Sequence, residues 1–231
     1  MSGENKFKIY TKTGDEGTSS LYNMERRDKD DATFDALGDV DECNVAVGIA
    51  REFCLDEKNG LDARVRARDG FFVFALHFIR ARRRSEFVET DASFVDEQLE
   101  EIQSRLLDIG SAVATPLAGS SETMRTRASF DAAHVETLER WIDELDAELP
   151  ALTNFLLVSG GKASVFLHQA RVVCRRAERS CVPLIRDGAV PEVVRVYLNR
   201  LSDFFFTAAR CACARSGAEE RPYKKATTST N

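Results

Sequence analysis

Three arginines, Arg171, Arg175 and Arg179, recur every four residues in the segment Arg171-Val-Val-Cys-Arg-Arg-Ala-Glu-Arg179. On an α-helix this spacing stacks their guanidinium groups along one slowly drifting face, with Glu178 beside them. Like charges so placed repel by roughly 0.2–0.5 kcal/mol per pair, so folding alone gives no reason for the row. A polyanion such as a nucleotide triphosphate turns that repulsion into binding. Further along, Asn199, Ser202, Asp203 and Phe206 fall at i, i+3, i+4 and i+7, again one helical face. Asn199 can offer an amide donor and an acceptor to a ribose or a base. The row predicts an anion site.

A second polar cluster, Thr11-Lys-Thr-Gly-Asp-Glu-Gly-Thr-Ser-Ser20, lies near the N-terminus. Its glycines let backbone N–H groups converge on an oxyanion, its hydroxyls add donors, and Lys12 adds charge. It is not a Walker A loop, and a flexible polar chain end is the competing reading. In Gly38-Asp-Val-Asp-Glu-Cys-Asn44, Asp41 falls in an otherwise apolar stretch. An acid there is expected to have a cationic partner, which the arginine helix could supply; a solvated acidic face is the alternative. Phe204-Phe-Phe206 reads as core rather than as a cofactor box. His77, His134 and His168 are dispersed without metal-ligand spacing, and His168, three before Arg171, shares the arginine face. The six cysteines have neither zinc nor disulfide spacing and read as small core residues in a reducing compartment.

These residues need helices to position them. The chain has 231 residues, 43% hydrophobic and 30% charged, which suits one globular domain. A net charge of −6 argues against nucleic acid as a partner. No apolar run reaches the ~20 residues of a membrane span. The opening MSGENKFKIY resembles neither a secretory signal nor a transit peptide. Apolar periods of three to four predict helices over about 32–54, 94–114, 131–149, 161–185 and 192–216. Ser159 is placed to cap the fourth of these, and Pro183 to kink it or end it early. The expected fold is all-α, a five-helix bundle. Residues 1–31 read as a polar N-terminal loop, 32–216 as the bundle, and 217–231 as a polar tail.

One stretch fits this plan poorly. Residues 61–84 hold seven arginines against Asp62 and Asp69, surrounding a phenylalanine-rich core at 71–79. It reads either as a basic-rimmed surface for membrane or partner docking, or as an inserted segment packed on the bundle.

Taken together, the motifs resemble the ATP-dependent cob(I)alamin adenosyltransferases of the propanediol-utilisation type. The residues that carry the likeness are Lys8-Ile-Tyr-Thr-Lys-Thr-Gly-Asp-Glu-Gly17, Gly38-Asp-Val-Asp-Glu-Cys-Asn44, Ser159-Gly-Gly-Lys162, Arg171 to Arg179, Asn199-Arg-Leu-Ser-Asp203 and Tyr223-Lys-Lys225. Ser19-Ser20 and Glu25-Arg-Arg-x-Lys29-Asp-Asp31 bring it closest to the mitochondrial branch. Two departures stand out: Val158 replaces a usual proline before Ser159-Gly-Gly, and the link at about 57–92 is longer than usual.

The resemblance implies a homotrimer with active sites between subunits. ATP with Mg²⁺ would be held by Thr11, Lys12, Thr13, Gly14, Ser19, Ser20 and Lys29, and by Arg175, Arg176, Glu178, Arg179 and Asn199. Arg175 and Arg179 would also act in catalysis; Mg²⁺ would be carried by ATP, with no metal site built from side chains alone. Asp41 would form a structural pair with Arg171. Phe155 would displace cobalamin's lower nitrogen ligand, with His168 also at the cobalamin site. The implied reaction moves the 5′-deoxyadenosyl group of ATP to cob(I)alamin and releases triphosphate. Product would pass to a cobalamin-dependent mutase, in the mitochondrial matrix or the cytoplasm. The alternative is a non-catalytic, ATP-gated carrier of adenosylcobalamin.

Overall fold

The computed structural model describes residues 10, 12–72 and 93–226, with side chains for 10, 12–55 and 95–226. Residues 73–92 of the expected insert therefore lie outside the described residues, as do Thr11 and 227–231.

Among the described residues there are six helices: α1 (Ala32–Phe72), α2 (Ser93–Val113), α3 (Glu122–Arg127), α4 (Ala133–Asp146), α5 (Gly161–Arg186) and α6 (Glu192–Arg215). They pack in the order α2, α1, α5, α6, α4, which puts α5 at the centre. The buried stripes explain why. Ala36, Val40, Cys43, Val47, Ala50 and Cys54 line α1 at alternating steps of four and three. Ala163, Leu167, Ala170, Cys174, Ala177, Cys181 and Leu184 do the same on α5. Such stripes make adjacent helices run nearly antiparallel with interlocking side chains. The α5 stripe is mostly Ala and Cys, so both neighbours approach its backbone closely. Cys174 Sγ reaches the Leu198 carbonyl of α6 at 3.2 Å. On the far side of α6, Phe204 and Phe205 are fully buried, and Trp141 of α4 packs on Phe204.

Several expectations change. α1 runs on to Phe72 instead of ending near 54. α5 continues through Pro183 to Arg186, because the ring near a helix end deletes one hydrogen bond without breaking a long ladder. The 115–130 loop contains α3, whose Ser121 Oγ accepts from the Met124 N–H at 3.3 Å. With no buried residue it leaves no apolar period to read.

Short strands also form where loop and tail were expected. β1 (Thr18–Ser20) and β2 (Arg26–Asp28) make an antiparallel hairpin, anchored where the Tyr22 N–H donates to the Ala114 carbonyl at the end of α2. β3 (Leu156–Leu157) pairs with β4 (Arg221–Pro222), bringing the C-terminal segment back onto the loop before α5. Ser159 does not cap α5. The residue at that position is Gly160, at φ +99°. A Cβ there would lie 2.4 Å from Cys213 Sγ, so glycine is required both by conformation and by space. No described helix is long and apolar enough to cross a membrane.

Candidate functional site

The exposed face of α5 carries the arginine row. Arg175 and Arg179 are both exposed, and Arg179 Nη1 donates to the Arg175 carbonyl at 3.1 Å. Neither forms an ion pair with a described carboxylate. Arg171 is half-buried, its Nε has no hydrogen-bond partner, and burial together with the Arg175 charge pushes its pKa down. Among the described residues none of these three guanidinium groups forms an ion pair. Beside them Glu178 Oε1 accepts from Asn199 Nδ2 of α6 at 3.1 Å, so the α5–α6 seam joins the acid and the amide that the sequence had placed near the row.

Arg176 behaves differently. Its Nε donates to Asp39 Oδ1 at 3.0 Å, and Glu42 is a second ion-pair partner. Ser180 Oγ also bonds the Asp39 carboxylate. One position on from Arg175 is a turn of about 100° around the helix, which aims Arg176 at α1. Within the chain Arg176 fastens α5 to α1.

The expected Asp41–Arg171 pair does not form within the chain. Asp41 is exposed and lines a cavity of about 460 Å³ between α1, α2 and α3, with Leu37, Asn44, Leu107 and Arg127. Arg171 lines a different cavity, of about 620 Å³, with Phe155, Leu156, Phe206 and Tyr223. The register of α1 sends Asp39 and Glu42 towards α5 and Asp41 the other way.

That second cavity meets the arginine row at Arg171. Phe155 stands at its edge, 85% exposed. Phe206 forms part of the wall, the one residue of the three phenylalanines that is not core. His168 lies beneath it, with ring centroids 5.9 Å apart. His168 is 8% exposed, its Nδ1 has no partner, and burial followed by Arg171 pushes its pKa down. It supports Phe206 from behind, as a neutral ring, and lines a small adjoining pocket with Leu156, Ser159 and Glu220.

The N-terminal cluster is assembled by the hairpin. A Cβ at Gly14 would come 3.2 Å from Lys29 Nζ, so glycine lets that ammonium lie over the loop. Lys12 is held at φ +62° and is exposed. Arg26 gathers the cluster, donating to the Thr13 carbonyl at 2.8 Å and to the hydroxyls of Ser20 and Thr18. Ser19 and Ser20 sit on β1. The sequence reading missed Arg26, although its place in Glu25-Arg-Arg-x-Lys29 was a signal. Lys12, Thr13, Gly14, Ser19, Ser20 and Lys29 are brought together; Thr11 falls outside the described residues. The hydrogen bonds described for this loop run within the hairpin and to α1 and α2, whereas α5 reaches α1 through Arg176 and α6 through Glu178.

All six cysteines are unoxidised and buried, and no group of three or more metal-binding side chains gathers among the described residues.

Comparison with known proteins gives one answer. The cobalamin adenosyltransferase family profile matches residues 9–212. The chain is similar to the corrinoid adenosyltransferase MMAB of Mus musculus, 41% identical over 218 residues that cover 94% of this chain and 78% of that protein. It is 35% identical to a corrinoid adenosyltransferase of Bacillus subtilis, covering 94% of this chain and 93% of that one. Among solved structures it is similar to a variant PduO-type ATP:corrinoid adenosyltransferase from Lactobacillus reuteri complexed with cobalamin and ATP. That match has a TM-score of 0.73 and 29% identity, and covers 94% of this chain and all of the other. With an uncompensated arginine row meeting an aromatic cavity, and a family match over most of its length, this chain belongs to the cobalamin adenosyltransferase family.

Proposed function

We propose that the protein is an ATP:corrinoid adenosyltransferase that moves the 5′-deoxyadenosyl group of ATP onto cob(I)alamin. The observation that carries this reading is the junction at Arg171, where a row of cations with no ion-pair partner among the described residues begins at the wall of a cavity edged by Phe155. The corrin takes the cavity and the triphosphate takes Arg175 and Arg179, so the two substrates meet at that junction. Phe155 displaces the lower nitrogen ligand of Co(II), which leaves a four-coordinate centre that an external reductant converts to Co(I) more easily. Co(I) then attacks C5′: its electron pair forms the Co–C bond, and the C5′–O pair leaves with triphosphate. No proton has to be moved in that step. The protein's share is to orient the reactants and to stabilise the leaving charge. Mg²⁺ arrives on ATP and shares that charge, since Glu178 is engaged by Asn199, and Asp39 and Glu42 by Arg176.

The active unit is a homotrimer. Asp41 and Arg171 have no ion-pair partner among the described residues, and they lie on different faces. Val45 and Ile49 of α1, with Val165 and Val172 of α5, are exposed aliphatics along the same helices. A contact between subunits covers them and brings Asp41 to Arg171 of the partner subunit. It also brings the hairpin cluster to the neighbour's arginine row. Buried reduced thiols suit a reducing compartment, cytoplasm or mitochondrial matrix, and the product goes on to a cobalamin-dependent mutase.

The test is to mix the protein with chemically reduced cobalamin and ATP, and to follow formation of the light-sensitive Co–C bond by visible absorption. Binding of both substrates without that bond would leave a carrier and remove the enzyme.

A further inference from the structure

The ring of Phe155 is 85% exposed, so its own packing does not place it. The backbone of its loop must. This loop is tied at three points to one region, the end of α6 and the segment that follows. At its start, the Pro150 carbonyl accepts from Arg210 Nη2 at 2.8 Å. At its end, the Gly160 carbonyl accepts from Ser216 Oγ at 3.3 Å. In the middle β3 pairs with β4, and the Tyr223 N–H donates to the carbonyl of Phe155 itself at 2.7 Å.

What holds β4 in turn is Glu220. Its carboxylate accepts from Arg210 Nε at 2.8 Å and from Nη2 at 3.3 Å. Arg210 is 4% exposed, and Asp146, 3.8 Å from Nη1, is a more distant second acid. One buried guanidinium therefore grips both the first residue of the Phe155 loop and the strand laid against its middle. A buried ion pair is a poor device for stability alone, because apolar side chains of equal volume do as well. Its advantage is direction: a planar fork fixes a carboxylate and a carbonyl at set angles.

We propose that Arg210 and Glu220 form a positioning clamp that locks the C-terminal segment onto the Phe155 loop, and so sets how much bound Co(II) corrinoid reaches the four-coordinate state. This rests on the reading of Phe155 given above. Neither residue touches a reacting atom; both act through Phe155.

The test uses the full chain with Glu220→Gln and Glu220→Ala, and Arg210→Lys as a conservative companion. Glutamine keeps the volume and loses the charge, so it serves if the alanine variant folds poorly. ATP affinity by calorimetry should stay within about twofold of wild type. The four-coordinate Co(II) signal in electron paramagnetic resonance, with ATP present, should fall by about fivefold or more. Exchange of the Tyr223 amide, which donates to Phe155, should accelerate by about tenfold or more. Arg210→Lys, able to serve Pro150 or Glu220 but not both, should fall between.

Unchanged exchange at Tyr223 in the folded Glu220 variants overturns the clamp. So does faster exchange with an undiminished four-coordinate signal, provided Phe155→Ala abolishes that signal. If Phe155→Ala leaves the signal intact, the reading of Phe155 fails instead, and the exchange measurement alone judges whether Glu220 holds the segment.

Discussion

Asn199 on α6 donates its side-chain amide to the Glu178 carboxylate on α5, 3.1 Å away. The bond holds an acid one position from Arg179 and one turn from Arg175 without letting it neutralise either. An acid at this spacing would otherwise pair along the helix surface with an arginine three residues before it. Asn199 therefore holds Glu178 away from the arginines.

Asn199→Leu should release Glu178 to pair with Arg175. ATP affinity measured by calorimetry should weaken by about tenfold, the scale of one lost hydrogen bond to a charged group. The double variant Asn199→Leu with Glu178→Gln should recover part of that loss. No recovery would mean that Asn199 acts on the nucleotide alone.

The arginines should separate by sign. Arg175→Ala and Arg179→Ala should each lower kcat/KM by about 10²–10³, the scale of removing one donor aimed at developing charge. Both should leave the melting temperature unchanged or slightly raised, because a like-charge repulsion goes with them. Arg176→Ala should do the reverse and lower the melting temperature slightly, since it removes the ion-pair joint between α5 and α1. It should cost much less activity.

That contrast shows what the sequence made legible. The five long helices came from apolar periods, and the row came from spacing, because both depend on residues close in the chain. The contacts of Arg176 were not legible for a related reason. Its neighbours in sequence suggested a phosphate, whereas its neighbours in space are Asp39 and Glu42 on α1. The hairpin has polar residues on both faces, Thr18-Ser-Ser20 against Arg26-Arg-Asp28, so no alternation marks it. β3 and β4 are two residues each and lie far apart along the chain, so only tertiary contact reveals them. His168 looked like part of the arginine face until the packing of Phe206 covered it.

Gly160→Ala should be strongly destabilising. The φ of +99° costs about 1–3 kcal/mol for an L side chain, and the new Cβ would lie 2.4 Å from Cys213 Sγ. Thermal unfolding should show a drop of several degrees. Adding Cys213→Ala should recover only part, because the thiol goes but the backbone strain and the Cys213 Cβ stay. Full recovery would show that sterics alone demand glycine.

His168 ties stability to pH. Burial and Arg171 depress its folded pKa below the ordinary 6.5, so the unfolded chain binds the proton more readily. Its contribution is intact above pH 6.5 and is lost as pH falls through that value towards the depressed one. The melting temperature should therefore drop between pH 7.5 and 5.5, and His168→Gln should make the drop smaller. An equal slope in both proteins would assign the dependence to other groups.

The pairing of Asp41 with Arg171 across subunits makes the sharpest claim about assembly. Arg171→Asp would set two carboxylates together at each proposed interface, where like charges repel. Sedimentation at micromolar concentration should then show monomers, and activity should vanish if the site is shared between subunits as proposed. Asp41→Arg alone should do the same by setting two guanidinium groups together. Combining the two restores an opposite-charge pair with its ends exchanged, so trimers should return at least in part. The cavity beside Arg171 carries Phe155, so activity need not return with them. Trimers that persist in both single variants would separate Asp41 from Arg171 and return each to its own cavity.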